Sequence, residues 1–346
     1  MTLLPFEIAT LIIIAALTVL GSAANSFIVV VNCIEWVKTR QLNSNDIILT
    51  GLGVVRFFFQ WTVMLHRIIA MIYPNLFTLA KFVNVIYAIW TCLDYANIWF
   101  STLLSIFYWV KIPNQRHHIF IFLKLKISLI VPWLLLGSML ASLVTGIPVI
   151  WSVKNSYINY TINLSSTNSM VTNCSLSWNL CEEHQSNSTK DILPKMSLQR
   201  VLVPYIYPDL VPMLCIGYSL PFFISCVALL LLIRSLWGHT WHRKGNNCNP
   251  SLEVYFTAIK VIVSFLLLYT LNFICIILRI LGFYDAESPW FSAFSVAHVA
   301  YPSLHSVILI LYNPKLKQIL ERIFLHAEVH SGGDISYNYQ LNIRTK

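Results

Sequence analysis

HSVILILYNPKLKQ, residues 305–318, joins an uncharged apolar run to a short basic segment across Asn313 and Pro314. A helix that crosses hydrocarbon needs about 20 mostly apolar residues, because the bilayer core is roughly 30 Å thick and a helix rises about 1.5 Å per residue. The run ending at Tyr312 completes such a span. Pro314 cannot continue the hydrogen-bond ladder, so the helix stops at the membrane boundary and the lysines beyond it face headgroups and water. Past that break, KLKQILERIF reads as a second, amphipathic helix on the bilayer surface, with Leu316, Ile319, Leu320 and Ile323 inward and Lys315, Lys317 and Arg322 toward headgroups.

Working outward from that stretch, seven segments qualify as spans, at about residues 8–34, 47–65, 82–110, 127–150, 210–233, 261–278 and 289–312. Within them the only Asp, Glu, Lys or Arg residues are Arg56 and Asp94. The whole chain is 11% charged against roughly 25% in soluble domains, and its mean hydropathy is +0.68. The segments lack the alternation of β-barrel strands. The expected fold is an all-α membrane protein, a seven-transmembrane helix bundle with a short amphipathic cytoplasmic helix after the seventh span.

Orientation follows from charge. Fifteen Lys and Arg fall on the side of the C-terminus and seven on the other, with Arg56 completing the 23. The positive-inside rule then places the N-terminus outside and the C-terminus in the cytoplasm. The sequons at Asn159, Asn163, Asn173 and Asn187 agree, since glycosylation needs the lumenal side. The first span is expected to act as an uncleaved anchor. Cys174 and Cys181 share the same outer loop and an oxidising compartment, so a local disulfide between them is possible and stays open. The net charge of +9 suits anionic lipid and an acidic partner surface, with no nucleic acid expected.

Charge inside a span costs at least about 2.5 kcal/mol, so it faces the bundle interior. Asn25, His305 and Ser306 lie at a depth where they can serve Arg56 from neighbouring helices; the network is either a packing clasp or an element that rearranges on activation. Asp94 follows Trp90 by four residues and so shares its helix face, with Tyr95 and Asn97 nearby. A carboxylate beneath an aromatic ring suits a cationic amphipathic ligand. Alternatively it hydrogen-bonds a neighbouring helix. Prolines 132, 148, 212, 221 and 302 mark places where spans bend and open cavities. There is no phosphate-binding loop, nucleophile elbow or zinc-protease motif, and His239, His242 and Cys248 read as a solvated basic face rather than a metal site. No enzyme activity, cofactor or metal is expected.

Several stretches carry a resemblance: NSFIVVVNCIEWVKTRQLNSNDIILTGLGVVR, WFSTLLSIFYWVKI, FLKLK, SLWGHT, AIKVIVSFLLLYTLNF and YPSLHSVILILYNPKLKQ. The chain resembles the type 2 bitter taste receptors, seven-helix G-protein-coupled receptors, from about Asn25 to Ile323 outside the outer loops. The resemblance implies a plasma-membrane receptor for small bitter compounds that activates a gustducin-like heterotrimeric G protein. It divides the chain into a receptor domain at 1–324, with an outer loop at 151–209, and a tail at 325–346. It adds Asn272 and Ser295 to the ligand-facing set and places Tyr108, Lys111, His239 and Lys260 around the G-protein opening. The amphipathic helix with Lys315 and Lys317 would border that opening. Ser295 stands where some relatives carry an acid, and Tyr255 where a His is common. The alternatives are a vomeronasal-type chemoreceptor and a small-molecule transporter.

Overall fold

The computed structural model describes residues 5–72, 80–112, 122–144, 210–243, 250–281 and 288–330. The sequons, Cys174 with Cys181, and the tail beyond residue 330 lie outside the described residues, as does the side chain of His239. The described chain is helical: α1 Pro5–Thr39, α2 Ser44–Ile72, α3 Ala80–Lys111, α4 Phe122–Val144, α5 Leu210–Arg243, α6 Pro250–Ile280, α7 Pro289–Tyr312 and α8 Pro314–His330. This is the expected bundle of seven long helices with a short terminal one.

Six of these helices are long and apolar enough to cross a membrane by length and composition. The remaining one, α3, is 32 residues long and carries Asp94, Asn97, Ser101, Thr102 and Ser105, all buried. It tolerates that polarity because protein, rather than lipid, surrounds it: α2 and α5 pack along its sides. Ile127, Val131 and Leu135 of α4 join Phe100 and Leu104 of α3 in one apolar cluster. Around this centre α1, α2, α3, α5, α6 and α7 close a ring, each touching the next and α7 returning to α1.

The distribution of polarity is the reverse of a water-soluble bundle. Trp133 and Leu129 of α4 are 73% and 74% exposed, whereas Arg56, Asn25 and Ser306 are 0% exposed. Water would not tolerate the first arrangement over so much surface, and hydrocarbon would not tolerate the second turned outward. The protein is a multi-pass membrane protein.

Local chemistry sets the breaks. Arg40 adopts φ 55, the left-handed conformation that ends many helices, and Thr39 caps the turn by donating its hydroxyl to the Gln41 carbonyl at 2.8 Å. Asn313 serves two helices. Its N–H donates to the Leu309 carbonyl at 3.0 Å, closing α7, while its Oδ1 accepts from the Lys315 N–H at 3.1 Å and opens α8. Pro314 occupies the first position of α8, where its missing N–H costs nothing. Leu316 is fully buried against the bundle and Ile319 and Leu320 pack beside it, while Ile323 is exposed with Phe324 and Leu325. Ile323 packs on no part of the bundle, so of the four apolar residues expected inward it is the one that protein does not cover. A leucine buried this completely contributes about 1.5–3 kcal/mol, enough to hold a short helix against the bundle.

Candidate functional site

Among the described residues, two buried polar clusters and a cavity stand in the bundle interior. The first cluster centres on Arg56 of α2, whose guanidinium reaches two neighbouring helices, α3 and α7, at once. Its Nε donates to Asn97 Oδ1 at 2.8 Å and Nη2 to Ser101 Oγ at 3.2 Å, both on α3. Nη1 donates to Ser306 Oγ of α7 at 3.0 Å, and Nη2 also meets His305 Nδ1. Ser306 in turn donates to Asn25 Oδ1 of α1 at 2.7 Å. The guanidinium lies 5.7 Å from the Tyr301 ring. The structure thus brings Asn25, Arg56, His305 and Ser306 together and adds Asn97, Ser101 and Tyr301. A planar fork with five donors can satisfy so many directions; a lysine could not.

Below this cluster, at the end of the bundle where α8 lies, is a cavity of about 660 Å³ between α3, α5, α6 and α7. Ser101, Tyr301 and His305 form its inner wall, and Tyr108, Tyr312 and Asn313 its mouth. Three of the groups around Arg56 are therefore groups that an occupant of the cavity would touch. Phe265 of α6 packs edge-on against the His305 ring at 4.2 Å, tying α6 to the same wall. Lys111, Lys260 and Lys317 are exposed at this end.

Lys315 is placed differently from the headgroup position that its sequence suggests. Its Nζ pairs with Glu35 of α1, and it donates to Asp46 Oδ2 of α2 at 3.1 Å and to Asn32 Oδ1 at 3.0 Å. Partial burial pulls its pKa down, but the Glu35 and Asp46 carboxylates outweigh that and hold it above the ordinary lysine value. The residue is a strut between α8 and the ends of α1 and α2, reached by a side chain long enough to turn back under its own helix.

The second cluster lies toward the opposite end. Asp94 of α3 is 1% exposed and accepts a hydrogen bond from Tyr218 Oη of α5 at 2.7 Å. His298 Nε2 of α7 stands 3.4 Å from the same oxygen, and His298 Nδ1 meets Asn272 Oδ1 of α6 at 2.9 Å. The other carboxylate oxygen, Oδ1, is buried without a hydrogen-bond partner. Tyr95 stacks on Tyr218 with centroids 4.5 Å apart, a fit that requires the bare backbone of Gly217, where a Cβ would come within 2.7 Å of Tyr95 Oη. Trp90 sits one turn above Asp94 with the Arg279 guanidinium 4.8 Å from its ring.

Of the residues singled out from the sequence here, Trp90, Asp94, Tyr95 and Asn272 fall in this second cluster or against it. Ser295 is buried one turn before His298 on α7, and Asn97 belongs to the Arg56 cluster. Sequence reasoning missed Tyr218, His298 and Arg279. A signal existed for His298, which precedes His305 by seven residues and so shares its inward face on α7.

Comparison with known proteins places these features. Residues 3–328 match the family model described as taste receptor protein (TAS2R). The chain is 31% identical over 327 residues to taste receptor type 2 member 8 of Pan troglodytes, covering 92% of this chain and 96% of the relative. The Homo sapiens protein of the same description is 30% identical with the same coverage. Taste receptor type 2 member 7 of Macaca mulatta is 30% identical over 303 residues, 86% of either chain.

Proposed function

The chain belongs to the TAS2R taste receptor family, and from that premise we propose that it is a bitter taste receptor of the plasma membrane. It binds small bitter compounds on the outer side and activates a gustducin-type heterotrimeric G protein at the cytoplasmic end, where α8 lies. The observation that carries this reading is the shared wall. Ser101, Tyr301 and His305 line the cavity and also touch Arg56, so whatever fills the cavity meets residues that hold the buried cluster. A contiguous aromatic stack supports it: Phe222, one turn from Tyr218, packs on Tyr269, which stacks on Tyr301 at 5.7 Å beside Arg56. Contiguity supplies the material for coupling without measuring it.

In this mechanism an agonist binds one arrangement of the helices better than the other, and the difference in affinity, a few kcal/mol, shifts the population. Trp90, Asp94, Tyr95, Asn272 and Ser295 are the ligand side. Asn25, Arg56, His305 and Ser306 hold the resting arrangement. Tyr108, Lys111, His239, Lys260 and Lys317 surround the G-protein opening, and the charge of the three lysines meets an acidic partner surface. No bond is made or broken. The test is a calcium assay in cells carrying a gustducin-chimeric Gα and a panel of bitter compounds. Responses that require both the receptor and the chimera support the reading; silence with confirmed surface expression overturns it.

A further inference from the structure

The site for bitter compounds proposed above contains a carboxylate under an aromatic ring, an arrangement that would suit a ligand ammonium. The chain's own side chains already fill both halves of it. Arg279 occupies the face of Trp90, 4.8 Å from the ring, the position in which a ligand cation would gain most from the ring quadrupole. At Asp94, Oδ2 is taken by Tyr218 at 2.7 Å and faced by His298 at 3.4 Å, and Oδ1 is buried. An ammonium would reach Oδ2 only by displacing His298 or Tyr218.

The charge around the ring points the same way. Among the described residues facing this place, α2 brings His66, 5.7 Å from the Trp90 ring, with Arg67 next in sequence. α3 brings Asp94, α5 Tyr218, α6 Arg279 and α7 His298. Among the described residues the permanent cation on the Trp90 ring is Arg279, and Oδ2 of Asp94 is already engaged. A guanidinium stacked on an indole keeps its N–H edge in the plane of the fork, where it can take a carboxylate with two hydrogen bonds.

We propose that this end of the receptor takes small aromatic compounds bearing an anionic group, a carboxylate or sulfonate, with Arg279, held against the Trp90 ring, reading the charge. His298, held by Asn272, keeps Asp94 from serving as a counter-ion. The inference rests on the bitter-compound reading, and the two fail in distinguishable ways.

The test uses the full chain purified in lipid nanodiscs and three probes of one shape: 2-naphthoate, 2-naphthamide and 2-naphthylmethylammonium. Binding is read by ligand-induced thermal shift across a concentration series. The expected order is carboxylate, then amide, then ammonium. Arg279→Gln should weaken naphthoate about tenfold or more, the scale of one charge-assisted hydrogen bond, and leave the amide unchanged. Arg279→Lys should retain part of the preference, which shows that charge and not folding is being read. Tightest binding by the ammonium overturns the proposal, as does a carboxylate preference that survives Arg279→Gln, or no binding by any probe. Naphthoate binding together with silence across the whole bitter panel would sink the receptor reading and leave this one standing. An ammonium response lost in Asp94→Asn would do the reverse.

Discussion

The two buried clusters use similar residue types and differ in how completely they are satisfied. Around Arg56 every guanidinium nitrogen has a partner, and the partners reach α1, α3 and α7. Around Asp94, among the described residues, one oxygen has no hydrogen-bond partner and His298 Nε2 stands 3.4 Å from the other without a hydrogen bond. In a low-dielectric interior a fully paired network fixes one arrangement, whereas a partly paired one lies close in energy to alternatives. The first cluster is therefore suited to holding a state and the second to responding to a newcomer.

The most severe way to break this comparison is to remove its better-satisfied centre. Arg56→Ala should lower stability by about 3 kcal/mol, because it opens a cavity and strands the acceptors on α3 and α7. Thermal unfolding in nanodiscs reads this, and an unchanged midpoint would show that the network does not hold the helices. Gly21→Ala tests the same region by steric means. The added Cβ would overlap Gln60 Nε2, which is itself bonded to Ser303 Oγ at 2.7 Å, so a loss of about 2 kcal/mol is expected by the same assay.

The outer cluster should be more forgiving. Tyr218→Phe removes the one well-formed hydrogen bond to Asp94 and should cost about 1 kcal/mol, less than Arg56→Ala. A larger cost would mean that the outer cluster is held as firmly as the inner one. The smallest effect is expected at the surface strut. Lys315→Gln should cost no more than about 1 kcal/mol, in keeping with partly exposed ion pairs. Its pH dependence has a fixed sign. A lysine whose folded value lies above the ordinary 10.5 contributes its full stabilisation below 10.5 and loses it as pH climbs through the higher folded value. The wild-type and Lys315→Gln unfolding midpoints should therefore converge only in strongly alkaline solution.

Much of this architecture was legible in the sequence because the bilayer imposes a length on each element. Asn313 and Pro314 mark the end of α7 and the start of α8 at the positions where the structure caps them. α3 is the instructive span, since its polarity is explained by the helices that cover it and not by anything within residues 80–111. Helix periodicity also put Trp90 and Asp94 on one face. It could not say which helix faces them, because that depends on the rotation of each helix about its axis, and so Tyr218 and His298 escaped. Lys315 escaped for a related reason. Amphipathic spacing assigns a lysine to the headgroup side, while a four-carbon stem lets it turn back to Glu35 and Asp46.

The central claim, that the inner cluster holds the resting state while the outer one meets the ligand, is tested most directly in one calcium assay at matched surface expression. Ser306→Ala should raise basal signalling with little change in the agonist concentration for half-maximal response, and Tyr218→Phe should shift that concentration with basal signalling unchanged. The account is contradicted if the two variants exchange these effects, or if both move basal signalling alike.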